Sequence, residues 1–120
     1  MSITRINPEY QPKLSTALGT LTSSVGTFAS GHNWVRRYGN IVQFYAAISL
    51  TSATRAWHTA IVNFPAGFRP GSYTLMTFAL GSQGSVKSTY LGAVDAGGNL
   101  DMDANFASGS YIQFGGVFIV

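Results

Sequence analysis

From Ile41 to Leu50 apolar and other positions alternate strictly, with Val42, Phe44, Ala46, Ile48 and Leu50 on one face and Gln43, Tyr45, Ala47 and Ser49 on the other. A period of two is the signature of a strand buried on one side. Asn33 to Tyr38 forms a shorter strand upstream, and Gly39-Asn40 supplies a tight turn, so the pattern predicts a hairpin from Trp34 to Leu50. Trp57 to Phe64, Tyr73 to Leu80 and Val86 to Val94 continue as strands, each bounded by Gly, Ser, Asn or Pro. Asp95-Ala96-Gly97-Gly98-Asn99 reads as a hairpin loop, Leu100 to Met102 as a short return strand, and Ser108-Gly109-Ser110 as a further turn. Tyr111 to Val120 closes the chain, with Ile112, Phe114, Phe118 and Val120 on one face. Nothing in this span predicts a helix longer than a turn. The fold expected is all-β, an antiparallel β-sandwich of jelly-roll-like kind.

Between two of these strands lies Ile-Val-Asn-Phe-Pro-Ala-Gly-Phe-Arg-Pro-Gly, residues 61 to 71. A residue before proline is pushed to extended geometry, so Phe64 and Arg69 are both held there. Pro65 suits the second position of a type I turn that Gly67 closes, and Pro70-Gly71 is the favoured central pair of a type II turn. Phe68 sits between them as an apolar peg. Pro65, Gly67, Phe68, Arg69 and Pro70 therefore read as a structural corner of the sandwich.

Residues 1–29 differ in character. Ile3 to Lys13 carries two prolines and few large apolar groups, and Ser15 to Ser30 is rich in Ser, Thr and Gly. They read as an N-terminal arm or leader ahead of a head domain at residues 30–120. Leu14, Leu18 and Leu21 also fit a short amphipathic helix.

Composition adds a statement about assembly. The chain has 120 residues, one domain's worth, of which 46% are hydrophobic and 9% charged; soluble domains average about 25% charged. A globule of this mass exposes roughly 6,000 Å², which seven Lys/Arg and four Asp/Glu side chains cover sparsely. Part of the surface is expected to be buried against other subunits. The net charge is +3, but the cations are scattered apart from Arg36-Arg37, so nucleic acid is not the expected partner. Those two point to opposite faces of a strand, and the inward one is expected to pair with an acid or cross a subunit interface. The absence of cysteine removes disulfides and thiolate metal sites. No run approaches the 18 or so apolar residues of a membrane helix, and the N-terminus lacks the order of a signal peptide.

Saccharide sites combine an aromatic face with planar polar groups. Trp57, His58, Tyr90, Asp101, Asp103, Asn105 and Tyr111 are the suitable residue types, and each is also an ordinary strand or core residue. Asp101-Met102-Asp103 with Asn105 has oxygen ligands at alternate positions, as calcium requires, but lacks the glycine and the terminal glutamate of an EF-hand loop. No metal or other cofactor is expected. Catalysis is not expected either. A glycosidase needs two facing carboxylates, whereas the acids are only Glu9, Asp95, Asp101 and Asp103. No Gly-x-Ser-x-Gly elbow accompanies His32 or His58.

Trp34-Val35-Arg36-Arg37-Tyr38-Gly39-Asn40-Ile41-Val42, followed by Ile61-Val62-Asn63-Phe64-Pro65-Ala66-Gly67-Phe68-Arg69-Pro70, resembles the head domains of tail-fibre and receptor-binding proteins of bacteriophages and prophages. Phe64 stands where leucine is commoner in that family. Asp95 to Leu100 also looks like the family's small-apolar-Gly-x-leucine pattern. The resemblance spans roughly residues 33 to 120. It implies a homotrimeric β-sandwich in a phage tail, assembled with other tail or virion proteins and binding a bacterial surface receptor, most often a saccharide. It would reside in the virion, or in the bacterial cytoplasm before assembly. The shared turn is structural and transfers no binding residue. The alternatives are a purely structural module that caps or trimerises a fibre, and a cellular lectin or cytokine-like trimer on the same architecture.

Overall fold

A computed structural model describes residues 16–82 and 88–120 of the chain. Among the described residues there are eight strands and no helix: β1 (Thr16–Gly19), β2 (Gly26–Tyr38), β3 (Ile41–Leu50), β4 (Ala60–Asn63), β5 (Thr74–Ser82), β6 (Ser88–Val94), β7 (Asn99–Met102) and β8 (Tyr111–Ile119). Every neighbouring pair is antiparallel, in the order β1-β2-β3-β8-β5-β6-β7-β4. The ladder folds over into two layers, β1-β2-β3-β8 and β5-β6-β7-β4, so the expected β-sandwich is formed. A two-way backbone pair between Thr22 and Asn63, at 3.0 and 2.7 Å, ties the last strand in this order back to the connection between the first two.

The core follows from the alternation. Val42, Phe44, Ala46, Ile48 and Leu50 of β3 are all buried, as are Ile112, Phe114 and Phe118 of β8, which pairs with β3 from Ile41↔Ile119 to Ser49↔Tyr111. Phe44 meets Phe64 edge-on at 5.0 Å between ring centroids, and Phe64 meets Phe118 at 5.3 Å. This offset geometry suits the negative face and positive edge of aromatic rings. Phe64 thus locks the segment after β4 onto the β3–β8 layer.

The double-proline segment is a corner, but its turns differ from those expected. Phe68 N–H donates to Pro65 O at 3.1 Å, which makes Pro65 the first residue of the turn and puts Gly67 third, at φ 91°. A glycine with positive φ at that position belongs to a type II turn. Gly71 has no positive φ, so Pro70-Gly71 does not form the second type II turn. Phe68 is the buried peg expected of it, seated against Gly19 of β1.

Three other boundaries move. The strand expected at Trp57–Phe64 contracts to β4, because His58 and Thr59 N–H groups both turn back to Arg55 O at 3.1 Å. β2 begins at Gly26 rather than Asn33, across a register shift between Phe28 and Asn33 that contains Gly31 at φ 75°. A bulge of this kind interrupts the alternation that reveals a strand. The boundary expected at residue 30 consequently falls inside β2. Leu21 is in the core and Val25 and Phe28 pack against it, so residues 16–29 are part of the sandwich. Leu18 lies on β1 and no helix joins it to Leu21. Residues 1–15, including Leu14, and Val86 and Lys87 of the strand expected at Val86–Val94 lie outside the described residues.

Arg36 and Arg37 do face opposite ways. Arg37 Nε donates to Gly39 O at 2.6 Å and Nη1 to Gly67 O at 2.7 Å, so the inward cation is satisfied by turn carbonyls rather than by an acid. The Arg36 guanidinium lies 4.2 Å over the Trp34 ring.

Candidate functional site

The site is built where β4 meets the β6–β7 hairpin. Asp95 N–H donates to Asn99 O and Gly98 N–H to Asp95 O, at 3.1 and 2.9 Å, closing the hairpin loop. Gly98 takes φ 85°, and a Cβ there would lie 2.6 Å from both Arg69 Nε and Phe64 O. The bare glycine lets the loop press against the double-proline corner, and Phe64 N–H donates to Gly98 O at 2.8 Å.

Four side chains then form a continuous polar wall. Arg69 Nε donates to Phe64 O at 2.7 Å and Nη2 to Asn63 Oδ1 at 3.2 Å. Asn63 Nδ2 donates to Gly97 O at 3.2 Å and to Asn99 Oδ1 at 2.9 Å. Asn99 Nδ2 donates in turn to Asp95 Oδ2 at 3.2 Å, and its backbone N–H to Asp95 Oδ1 at 3.0 Å. The chain runs from a cation through two amides to an anion, so each amide dipole is fixed in orientation. Burial pushes the Asp95 carboxyl up, but the Asn99 and Gly97 hydrogen bonds and the Arg69 charge outweigh it and hold the group below its ordinary value.

This wall borders a pocket of about 260 Å³ lined by Thr22, Ser23, Ser24, Ala60, Val62, Asn63 and Asn99. Ser23 Oγ is spent on local structure, donating to Ile61 O and accepting from Val25 N–H. The Thr22 and Ser24 hydroxyls engage no described residue. By valence, Asn99 retains one N–H, and both amide oxygens retain a lone pair. The pocket therefore offers fixed amide acceptors, one amide donor and two free hydroxyls, with no charged group among its lining residues.

Five of the residues expected to bind ligand lie in one neighbourhood of the second layer. Trp57 sits in the turn before β4, half-buried, its N–H donating to Met102 O at 3.0 Å. Its φ of 62° is the only left-handed value among the described non-glycine residues. Such a conformation costs about 1–2 kcal/mol for an L-residue. His58 is exposed beside it and lies near enough to Asp101 to favour that carboxylate electrostatically. Asp101 is half-buried on β7, opposite Ala60 of the pocket rim, and shares a strand face with Asn99 two residues away. Burial and the Asp95 charge raise its pKa, against the pull of His58. Asp103 is exposed after β7, and Asn105 spends Oδ1 on Ala56 N–H at 2.7 Å, bracing the turn that carries Trp57.

The other two lie apart. Tyr90 turns inward against Phe106, with ring centroids 6.4 Å apart, and packs on the core. Tyr111 starts β8 in the opposite layer, where its hydroxyl accepts from Gln113 Nε2 at 3.4 Å. Among the described residues no three His, Cys, Asp or Glu side chains come together to hold a metal ion.

The pocket's own residues, Thr22, Ser23, Ser24, Asn63 and Asn99, do not stand out in the sequence as ligand-binding types. Thr22 to Ser24 sit in a stretch that reads as a polar leader, and Asn63 and Asn99 are ordinary turn-flanking residues. The available signal was Asn63 immediately before the constrained corner and Asn99 closing a Gly-Gly loop. Among the described residues no helix is long and apolar enough to cross a membrane. No protein-family model matches the chain, and no curated protein is similar to it.

Proposed function

We propose that this domain is a non-covalent receptor-binding module of a phage or prophage tail, and that it holds a bacterial surface saccharide in the pocket between Thr22–Ser24 and the Asn63–Asn99 wall. The observation that carries the reading is the ordered run Arg69–Asn63–Asn99–Asp95 behind the pocket. Planar amides with fixed orientation and free hydroxyls are what the vicinal hydroxyls of a sugar require, and their order is set before any ligand arrives. The volume of about 260 Å³ lies below the roughly 300–1,000 Å³ of drug-sized sites, which suits about one sugar ring. Trp57, His58 and Asp101 flank this wall and would meet the rest of a longer glycan. The phage assignment, the homotrimer and the other tail proteins as partners rest on the resemblance of residues 33 to 120.

The purely structural alternative has an observation of its own. The outer face of the β3–β8 layer exposes Ile41, Val117 and Ile119, residues suited to packing against another subunit.

A glycan array probed with the full chain tests the saccharide reading, followed by titration of any hit against the double variant Thr22→Val, Ser24→Ala. Both positions face water or border it, so the variant is expected to fold. Retention of a glycan by wild type with at least tenfold weaker binding by the variant is the expected result. An empty array over glycans of plausible hosts, or a hit whose affinity the variant leaves unchanged, removes saccharide binding at this pocket and leaves the structural module.

A further inference from the structure

Arg36 is a cation that the fold leaves unanswered. It projects from the outer face of β2, since Val35 next to it is buried in the core, and its guanidinium lies 4.2 Å over the Trp34 ring. Nε is buried and meets no acceptor. Native structures leave few buried donors in that condition. The described acids, Asp95, Asp101 and Asp103, lie on or beside β7 in the other layer, and β1, β2, β3 and β8 contain no Asp or Glu. Contact with the indole supplies no acceptor oxygen, so the Nη groups retain the fork of donors that a carboxylate or phosphate fits.

The face beside Arg36 is aromatic. Tyr45 is the partner of Trp34 across β2 and β3, with ring centroids 6.2 Å apart, and His32 continues the run 5.8 Å from Tyr45. His32 Nδ1 donates to Ser30 O at 2.7 Å, which orients the ring and leaves Nε2 as its free nitrogen. Trp34 and Tyr45 are half-buried and His32 is exposed. Gly115, opposite Tyr45, adds no side chain to the face, and the exposed Gln43 amide stands opposite Arg36.

The geometry points to a second binding site along this run, for the oxyanion of an acidic saccharide. Arg36 takes the carboxylate or phosphate, and the half-exposed rings take the apolar side of the sugar. No carboxylate on these four strands repels the anion. A single uncompensated cation matches one charge per sugar unit, not the closely spaced phosphates of a nucleic acid. The run climbs β2 away from Ile41 and Ile119, on the layer opposite the Asn63–Asn99 wall. It is separate from the uncharged pocket and does not depend on it.

The test is an NMR titration of the full chain with an oligogalacturonate for the carboxylate and mannose 6-phosphate for the phosphate. Each is compared with its neutral counterpart, the methyl-esterified oligogalacturonate or mannose. At least one anionic probe should bind tenfold or more tighter than its counterpart, with the largest shifts at the Trp34 indole and the Tyr45 amide, and the probe retained identifies the anion. Arg36→Gln should weaken that binding at least tenfold. Arg36→Lys, which keeps the charge but not the fork, should weaken it at least threefold, and circular dichroism checks that each variant is folded. The inference is overturned if neither anionic probe binds, if a neutral counterpart binds as tightly, if the shifts gather at Asn63 and Asn99 instead, or if a folded Arg36 variant binds like wild type.

Discussion

β3 and β4 lie on opposite layers of the same sandwich and are held by different physics. β3 runs for ten residues between β2 and β8 in the ladder and buries an unbroken apolar face, so burial of Phe44 and its neighbours maintains it. β4 has four residues, a register shift between Ala60 and Val62, and the last place in the strand order. What steadies β4 is directional: the Thr22 backbone pair and the Arg69–Asn63–Asn99–Asp95 relay. The contrast teaches where a site can form. Hydrophobic burial is indifferent to orientation, whereas a ligand's hydroxyls are read by groups whose orientation is fixed, and the β4 side supplies such groups at the border of a pocket.

The largest effect should come from removing the apolar half. Phe44 touches Phe64, Phe114 and Phe118, at 5.0, 6.2 and 6.3 Å between centroids. Phe44→Ala should lower unfolding free energy by about 3–5 kcal/mol, seen as a lower denaturant midpoint. An effect below 1.4 kcal/mol, a tenfold change in the folding constant, would mean that the layers are not joined through this aromatic cluster.

Gly98→Ala attacks the other half. The new methyl would meet Arg69 Nε and Phe64 O at 2.6 Å while holding φ at 85°. Together the left-handed backbone and the overpacking should cost about 2–3 kcal/mol. Saccharide binding should fall with it, since Arg69 must move. A variant as stable as wild type would show that the loop does not press on the corner.

Arg69→Ala is expected to cost less, about 1–3 kcal/mol, because it leaves Phe64 O and Asn63 Oδ1 without donors but opens no cavity among the rings. Arg69→Lys should recover little, since a single ammonium does not reproduce the two-pronged geometry. Full rescue by lysine would reduce the role of Arg69 to charge alone.

The sequence shows this contrast unevenly. Burial leaves a period, so the span of β3 and its inward face are legible from Ile41 to Leu50. The same holds for the β6–β7 hairpin, whose Asp-Ala-Gly-Gly-Asn loop has its own turn chemistry. The site left almost no period. Asn63 and Asn99 lie 36 residues apart and meet only because β4 pairs with β7, and Thr22 reaches Asn63 only after the ladder has folded over. Trp57 read as a strand residue because nothing in its type announces a left-handed backbone. Arg69 is legible as part of a corner, yet its use as the cationic end of the wall depends on Gly98, far along the chain. Local chemistry could place the scaffold, whereas the site depends on pairings that no local window contains.

The smallest effect separates the two acids of the site. Asp95 titrates below the ordinary 3.8 and Asp101 above it, so their contributions to stability run in opposite directions with pH. The stability due to ionised Asp95 is present above pH 3.8 and is lost as pH falls through its lower folded value. For Asp101 burial and the neighbouring Asp95 charge disfavour ionisation. Its carboxylate therefore weakens the fold at neutral pH, and the deficit is recovered as pH falls from its raised folded value to below 3.8. Asp101→Asn should consequently be more stable than wild type at pH 7, by about a few tenths of a kcal/mol once solvent screening is allowed for. The advantage should vanish under acid conditions. Denaturant midpoints for both proteins between neutral and acid pH measure the difference directly. A variant less stable than wild type at pH 7 would mean that His58 outweighs burial and Asp95, making Asp101 a stabilising partner of the Trp57–His58 turn.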